Sequence, residues 1–270
     1  MSTLERDGIR FNYEVLGEGP AVVFCHGLTG DLEIPKAFIG SMQDYRLVFM
    51  DCRAHGRTEP VGPPEKLNFN TFAEDYLALV DHLGIDRFIL GGISMGAGVT
   101  ARFASLWPER LQGIVLVRPA WLDKPLPENL AILPKVAKIL EETGLEKGAQ
   151  TFGQLPEFPA YTRFTGDSPE KVWKVCEQPG YVERRIRLDR IPKDCPTSSW
   201  EEVEKIEIPA LVVGSQRDAT HPWEFAVEWA QRLPNAELVE IPPKWENDDV
   251  HSEAFHPHLK SFLDRVAKNS

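Results

Sequence analysis

Short, almost continuous runs of apolar residues recur along the chain, separated by segments with helical spacing. The runs occupy residues 21–25, 47–50, 88–90, 114–117 and 210–213. Runs rich in Val and Ile, apolar at successive positions, are typical of strands covered on both faces. Strands that alternate with helices predict an α/β fold, with a mostly parallel sheet wound by right-handed crossovers and helices on both faces.

Two of the intervening segments carry clear helix signals. Apolar residues between 72 and 83 recur on one helical face, and Gly84 is placed to close that helix. Thr71 and Glu74 have the spacing of a capping box, which predicts that the helix begins there. Residues 95–107 form a second, Ala-rich helical pattern that a proline stops.

The alternation breaks at two places. Residues 9–16 alternate before the glycine-rich turn at 17–20, which predicts an antiparallel hairpin at the sheet edge. Residues 121–205 contain many prolines and scattered aromatics but no strand pattern, and the sheet pattern resumes only afterwards. We therefore predict a core domain made of residues 1–120 and 206–270, with a helical cap inserted at 121–205.

Composition narrows the possible partners. The chain has 270 residues, of which 42% are hydrophobic, and a formal net charge of −11. An acidic surface disfavours nucleic acid and anionic membranes as partners, and no apolar stretch has the length of a signal peptide or a membrane span. The four cysteines show no metal-ligand spacing. We expect a cytoplasmic protein with reduced thiols, no cofactor and no metal.

The strongest chemical signal is a serine between two glycines. Gly92-x-Ser94-x-Gly96 follows the apolar run 88–90 and precedes the helical pattern at 95–107. This arrangement predicts a nucleophile elbow, a turn so tight that side chains at the flanking positions would collide with the neighbouring strand and helix. The serine would stand at the carboxyl end of its strand, where open α/β sheets bind ligands.

A serine hydroxyl is a poor nucleophile without a base, and the chain has seven histidines. In the order serine, acid, histidine, only His221, His251, His256 and His258 come late enough. His221 follows the expected acid so closely that we discount it as that acid's partner. His251 comes after the last strand pattern, at 238–241, and after a polar loop, so we predict that it is the base. His256 and His258 are expected to face solvent.

Asp218 is the expected acid. It is the only carboxylate in the loop after the run 210–213, and it would orient the imidazole and stabilise its positive charge. An alternative use is to cap the helix that begins near Pro222. Asp249 and Asp123 are the reserve candidates for the acid.

The oxyanion of an acyl-transfer intermediate needs two backbone donors. The amide of Met95, directly after the nucleophile, is one candidate. The second should come from the loop after the run 21–25, where Gly27 lets the backbone turn, and we choose the amide of Leu28.

Together these motifs resemble the α/β-hydrolase superfamily, and in particular serine carboxylesterases and enol-lactonase-like enzymes with a helical cap. The resemblance covers nearly the whole chain. It rests on His26-Gly27, the Asp51-x-Arg53-x-His55-Gly56-x-Thr58 turn, the Ser94 elbow, the Arg217-Asp218 loop and His251. The chain has Ala54 and Val250 where the family usually has glycine.

The resemblance implies hydrolysis of a small carboxylic ester or lactone through an acyl-enzyme. Carbon–carbon bond hydrolysis and acyl transfer could use the same triad, and a low-turnover small-molecule receptor is the alternative outside enzymes. Ser94 argues against the aspartate-nucleophile enzymes of this fold. Aromatic residues of the cap predict an apolar pocket. The only hint of a charged substrate is a cluster of arginines that a solvated helix face explains equally well: Arg184, Arg185, Arg187 and Arg190.

Overall fold

The computed structural model describes residues 2–268, and within them eight strands form one sheet. The strands are β1 (Ser2–Arg6), β2 (Ile9–Leu16), β3 (Ala21–Cys25), β4 (Arg46–Met50), β5 (Phe88–Ile93), β6 (Leu111–Val117), β7 (Ala210–Gly214) and β8 (Ala236–Glu240). Their order in the sheet is β1-β2-β4-β3-β5-β6-β7-β8, and every pair from β4 to β8 is parallel. The five apolar runs all lie in strands, so the predicted α/β class with a mostly parallel sheet is confirmed.

Helices cover both faces of this sheet. They are α1 (Glu33–Ile39), α2 (Phe69–His82), α3 (Met95–Leu106), α4 (Ile132–Gly153), α5 (Phe158–Tyr161), α6 (Pro169–Trp173), α7 (Ile186–Arg190), α8 (Trp200–Val203), α9 (Trp223–Arg232) and α10 (Asp248–Lys268). Successive residues of a strand point to opposite faces of the sheet, so alternate residues of one strand belong to different apolar clusters. Val23 packs in the apolar cluster that includes α2 and α3, whereas Val22 and Phe24 pack in the one that includes α1 and α10.

The antiparallel part of the sheet differs from the expected hairpin. β2 is antiparallel as predicted, but its hairpin partner is β1, through a turn at Asp7 and Gly8 with positive φ at both residues. The turn at 17–20 leads instead to β3, which is separated from β2 because β4 lies between them. β1, and not β2, is therefore the edge strand.

The boundaries of α2 show how a polar side chain selects a helix start. Asn68 lies in extended backbone, and its side chain accepts a hydrogen bond from the Thr71 amide. The helix begins at Phe69, so the capping box predicted at Thr71 and Glu74 is wrong: Thr71 lies inside the first turn that Asn68 caps. Gly84 follows the last turn with φ of 65°, as expected of a residue that closes a helix.

Between β6 and β7 the described chain contains helices α4 to α8 and no strand. The long helix α4 is broken at Gly144, whose φ and ψ are 65° and −162°. No helix within residues 2–268 combines the length and the apolar character that crossing a membrane requires.

Candidate active site

Ser94 occupies the sharp turn between β5 and α3. Its φ and ψ are 57° and −110°, a conformation that is costly for any residue with a Cβ and that neighbouring structure must enforce. The turn is held from two sides. The Ser94 amide donates to the Val117 carbonyl at 2.9 Å, and the Ser94 carbonyl accepts from the Ala97 amide at 3.0 Å.

The two flanking glycines are needed for steric reasons. A Cβ on Gly92 would lie 2.2 Å from the carbonyl of Gly96, and a Cβ on Gly96 would lie 2.3 Å from the carbonyl oxygen of Cys25. The first contact is with helix α3 and the second with the end of strand β3. The predicted collisions with helix and strand are therefore confirmed, and they explain why Ser94 stands at the carboxyl edge of the sheet.

The loop after β3 runs beside the serine. A Cβ on Gly27 would lie 3.5 Å from the Ser94 Cβ. The loop is fixed by two buried histidines. His26 donates from Nδ1 to the Gly27 carbonyl at 2.8 Å and accepts from the Cys52 amide at 3.0 Å, while His55 Nε2 lies 2.8 Å from the Leu28 carbonyl. The loop that carries Leu28 is thus tied to the turn after β4.

The two amides predicted to bind the oxyanion, of Leu28 and Met95, donate no hydrogen bond within the described chain. Met95 is the first residue of α3, so its N–H has no partner inside the helix. The Leu28 N–H donates to no residue between positions 2 and 268. Neither amide is engaged elsewhere, which is what a site for a transient oxyanion requires.

Asp218 lies in the loop after β7, where it was expected, and its carboxylate is paired with His221. His221 Nδ1 donates to Asp218 Oδ2 at 2.9 Å, and the amides of Thr220 and His221 donate to Asp218 Oδ1 at 3.0 Å each. The alternative use of Asp218 as a helix cap is not seen, because α9 begins after Pro222 without a side-chain cap. The loop is turned by Arg217, whose φ is 55°.

The charge state of this pair follows from its surroundings. Burial acts to raise the pKa of Asp218, but the neighbouring His221 and Arg118 outweigh it and hold that pKa well below its usual range. Burial lowers the pKa of His221, against the opposing effect of the Asp218 carboxylate. The pair at neutral pH is therefore an ionised aspartate and a neutral imidazole, with the Nδ1 proton directed at the carboxylate.

His251 is not where the sequence pattern predicted it. It lies inside helix α10 and not in a loop, and Nδ1 donates to the Pro242 carbonyl at 2.6 Å. Its ring packs against Phe38, with centroids 5.3 Å apart. Within the described chain no hydrogen bond joins His251 to Asp218, so the expected pairing of these two residues is corrected. The physical reason is that the helix begins at Asp248, which carries the imidazole toward α1.

The remaining late histidines also differ from expectation. His256 lies two turns into α10 and contacts the Phe38 carbonyl through Nε2 at 2.8 Å, so it is not simply solvated. His258 is exposed, as predicted. Neither reserve candidate for the acid belongs to the Asp218–His221 pair. Asp249 is exposed in the first turn of α10, and Asp123 is half-buried before α4.

Arg118 is a site residue that the sequence reasoning missed. It follows β6 directly, between the strand that ends at Ser94 and the strand that leads to Asp218, and its side chain is 12% exposed. Its Nη1 lies 3.5 Å from Asp218 Oδ2, and its Nε has no partner in the described structure. The rule that selected Ser94, a polar residue at the carboxyl end of a buried strand, would also have selected Arg118.

A cavity of about 440 Å³ lies beside the aspartate–histidine pair. Thr29 of the loop after β3, Arg118, Asp218 and His221 border it on one side, and Tyr161 and Phe164, from the helical segment between β6 and β7, border it on the other. Other aromatics of this segment pack against one another. The Phe152 ring contacts Phe158 and Trp173 with centroids 5.1 and 5.6 Å apart.

The hydroxyl of Ser94 makes no hydrogen bond with any residue of the described chain. A nucleophile–base hydrogen bond is often absent until substrate binds, so the geometry leaves both imidazoles as candidates. Asp218 and His221 form an oriented acid–imidazole pair. His251 is oriented by the Pro242 carbonyl and not by a hydrogen-bonded carboxylate, and burial together with Arg118 lowers its pKa to about 4.

Comparison with known proteins places these observations in a family. The sequence is 30% identical over 221 residues to 3-oxoadipate enol-lactonase 2 of Acinetobacter baylyi (80% of this chain, 79% of the relative). It is 27% identical over 245 residues to a putative 2-succinyl-6-hydroxy-2,4-cyclohexadiene-1-carboxylate synthase of Bacillus subtilis (88% of each chain). The fold is similar to that of MGS-M2, an alpha/beta hydrolase enzyme from a Medee basin deep-sea metagenome library, with a TM-score of 0.78 and 20% identity over 97% of both chains. The sequence profile of the alpha/beta hydrolase fold matches residues 20–244, and the chain belongs to that family.

Proposed function

We propose that the protein is a serine hydrolase that cleaves a carboxylic ester or lactone through an acyl-enzyme intermediate, with Ser94 as the nucleophile. The observation that carries the proposal is the strained, glycine-flanked turn at Ser94. Two unengaged amides, of Leu28 and Met95, adjoin it. A residue is held in such a costly conformation where function requires it.

In the first half of the reaction, the Ser94 oxygen attacks the carbonyl carbon of the substrate. A neutral imidazole accepts the hydroxyl proton, and the amides of Leu28 and Met95 stabilise the resulting oxyanion. Collapse of the intermediate breaks the bond to the leaving oxygen, which takes the proton back from the imidazolium. The products of this half are an alcohol, or the hydroxyl end of the opened lactone, and an acylated Ser94.

In the second half, the same imidazole takes a proton from water as the water oxygen attacks the acyl carbon. The ester bond to Ser94 breaks, the serine regains its proton, and a carboxylic acid is released. The reaction consumes one water for each ester and needs no cofactor.

For the base, the contacts favour His221 over the predicted His251. The hydrogen bond from Nδ1 to Asp218 fixes the tautomer of His221 with an unprotonated Nε2, and the carboxylate stabilises the imidazolium that forms. His251 has its tautomer fixed by a carbonyl, and no carboxylate of the described chain is hydrogen-bonded to its ring. Arg118 would keep Asp218 ionised through the cycle. His251 remains the base that the residue order predicts, so the two are tested against each other below.

The relatives support this reaction class by their names alone. One is called an enol-lactonase, and other relatives include a putative esterase/lipase of Haemophilus influenzae and a bifunctional esterase/perhydrolase of Acinetobacter calcoaceticus. Esters and lactones share the attacked acyl carbon, and the proposed site has the parts that acyl transfer needs.

A fluorophosphonate probe tests the nucleophile directly. We expect stoichiometric labelling of the intact protein, with the adduct located on the peptide that contains Ser94 by mass spectrometry. Ser94→Ala should abolish labelling. Ser105→Ala, which changes a serine of α3 whose hydroxyl donates to the Ala101 carbonyl, should not. Labelling of Ser94 without turnover on any member of an ester and lactone panel would instead support the low-turnover receptor.

A further inference from the structure

Arg187 is a buried cation without a carboxylate partner. Only 4% of the residue is exposed, and no acidic side chain of residues 2–268 forms an ion pair with it. Its Nη1 donates to the Ala54 carbonyl at 2.8 Å, its guanidinium lies 4.8 Å from the centre of the Tyr181 ring, and its Nε has no hydrogen-bond partner. A buried charge left in this state costs several kcal/mol, which the fold must offset elsewhere.

A second buried arginine, Arg53, is paired with carboxylates of the protein itself. Arg53 has no exposed side-chain surface, and it binds Asp75 through Nε at 2.6 Å and Asp7 through Nη2 at 2.7 Å. Burial acts to lower the pKa of Arg53, but the two carboxylates raise it. Burial lowers the pKa of Arg187 to about 10, with no carboxylate to oppose it. Of these two buried arginines, Arg53 therefore has carboxylate partners and Arg187 has none within the described chain.

A cavity of about 470 Å³ opens beside Arg187. Three arginines line it (Arg57, Arg184 and Arg187) against one acidic residue, Asp31. The surroundings of this cavity are cationic although the chain carries a net charge of −11. Overall acidity repels anions, so a local excess of arginine is informative about the ligand that the cavity takes.

The position of the cavity relates it to the proposed chemistry. Thr29, the residue after Leu28, borders both this cavity and the one beside Asp218 and His221. Arg187 holds the Ala54 carbonyl, and the next residue, His55, contacts the Leu28 carbonyl. Two hydrogen bonds, one at Ala54 and one at the adjacent His55, thus connect Arg187 to the loop that carries Leu28.

We propose that Arg187 binds a carboxylate of the substrate, so that the hydrolysed ester or lactone is an anionic one whose charged end lies across Thr29 from the reacting carbonyl. A planar guanidinium matches a carboxylate in geometry, and a charge-assisted hydrogen bond in a buried site is among the stronger polar contacts. This proposal rests on the proposed function for its reaction, but not for its binding site. It replaces the expected purely apolar acyl pocket, and it separates Arg187 from the other arginines of its cluster, none of which is buried.

The kinetic test compares two p-nitrophenyl esters of matched shape. One is the monoester of adipic acid, which carries a terminal carboxylate, and the other is the 6-methylheptanoate, its neutral isostere. We expect wild-type kcat/KM to favour the anionic ester by about tenfold or more, which is about 1.4 kcal/mol. Arg187→Met should remove this preference by lowering kcat/KM for the anionic ester by about tenfold or more relative to the neutral ester. Arg190→Met, on the same helix and half exposed, is the matched control and should keep it.

The binding test does not depend on turnover. Adipate is titrated calorimetrically into Ser94→Ala, with adipamide as the neutral control and inorganic phosphate as a second anion. We expect adipate to bind with a Kd of about 1 mM or tighter, adipamide not to bind, and the double variant with Arg187→Met to lose adipate. Tighter binding of phosphate than adipate would replace the carboxylate by a phosphate group and overturn the proposal as stated.

The outcomes separate the two proposals. Absence of any ester turnover together with adipate binding lost in Arg187→Met would refute the hydrolase and retain the anion site. Turnover of both esters without preference, and adipate binding unaffected by Arg187→Met, would refute the anion site and retain the hydrolase. If Arg187→Met does not fold, Arg187→Lys keeps the charge but not the planar fork, and it should bind adipate more weakly than wild type; equal binding would count against the site.

Discussion

Asp218 accepts a hydrogen bond from His221, three residues further along the same loop, at 2.9 Å. An acid and an imidazole so close in sequence need no second strand to bring them together. The positive φ of Arg217 turns the loop, and Asp218 Oδ1 binds the amides of Thr220 and His221, so the backbone itself fixes the pair. The carboxylate at this strand end therefore has an imidazole partner from its own loop.

The first prediction decides which imidazole is the base. We expect His221→Ala to lower kcat on p-nitrophenyl esters by about 10³-fold or more, because it removes the general base and leaves Asp218 without its partner. His251→Ala removes an imidazole that is held by the Pro242 carbonyl and not by Asp218, so kcat should stay within about tenfold of wild type. Circular dichroism of both variants controls for folding. The opposite ranking would restore His251 as the base.

The second prediction concerns the strain at Ser94. Glycine adopts positive φ without cost, so Ser94→Gly should raise the free energy of unfolding by about 1 kcal/mol while abolishing activity. Ser94→Ala keeps a Cβ in the same conformation, so it should lose activity without this gain in stability. Urea denaturation of the three proteins measures the difference. Equal stability of the two variants would mean that the turn is not strained at this residue.

The third prediction tests the close approach at the elbow. A methyl group on Gly92 would meet the Gly96 carbonyl at 2.2 Å, so Gly92→Ala should destabilise the protein by about 3 kcal/mol and displace Ser94. Gly27→Ala is the control, since its nearest new contacts are at 3.5 Å. Urea midpoints give the stability of each variant, and a Gly92→Ala protein as stable as Gly27→Ala would contradict the geometry.

The fourth prediction concerns stability in mild acid. The pKa of His251 is about 4 in the folded protein, because of burial and Arg118, and about 6.5 in the unfolded chain. As pH falls below 6.5 the unfolded chain gains a proton at this residue while the folded protein does not, so stability is lost through this window. Between pH 7 and pH 5 the loss attributable to His251 is about 2 kcal/mol.

His251→Gln isolates this contribution, because glutamine can donate to the Pro242 carbonyl but does not titrate. Urea unfolding at pH 7 and pH 5 should show a smaller acid-induced loss in the variant than in wild type. Identical losses in both proteins would show that His251 protonates in the folded state as readily as in the unfolded one.

The sequence by itself determined the strands of the parallel part of the sheet, the α/β class and the elbow. Each of these depends on residues adjacent along the chain: a run of apolar residues makes a buried strand, and Gly92 and Gly96 are required by backbone contacts within one turn. Local signals also explain the errors of detail. The capping box at Thr71 has the right spacing, but Asn68 lies nearer the true helix start and its side chain takes the cap.

Only the tertiary structure decided which imidazole meets Asp218 and which arginine is buried. The start of α10 at Asp248 carries His251 toward Phe38, and no spacing of residues reports where a helix axis points. From the sequence, every member of the arginine cluster is compatible with a solvated helix face. Arg187 becomes a buried charge only because the helices between β6 and β7 pack it against the turn at Ala54. Pairing and burial depend on contacts between distant segments, and those contacts exist only once the whole chain has folded.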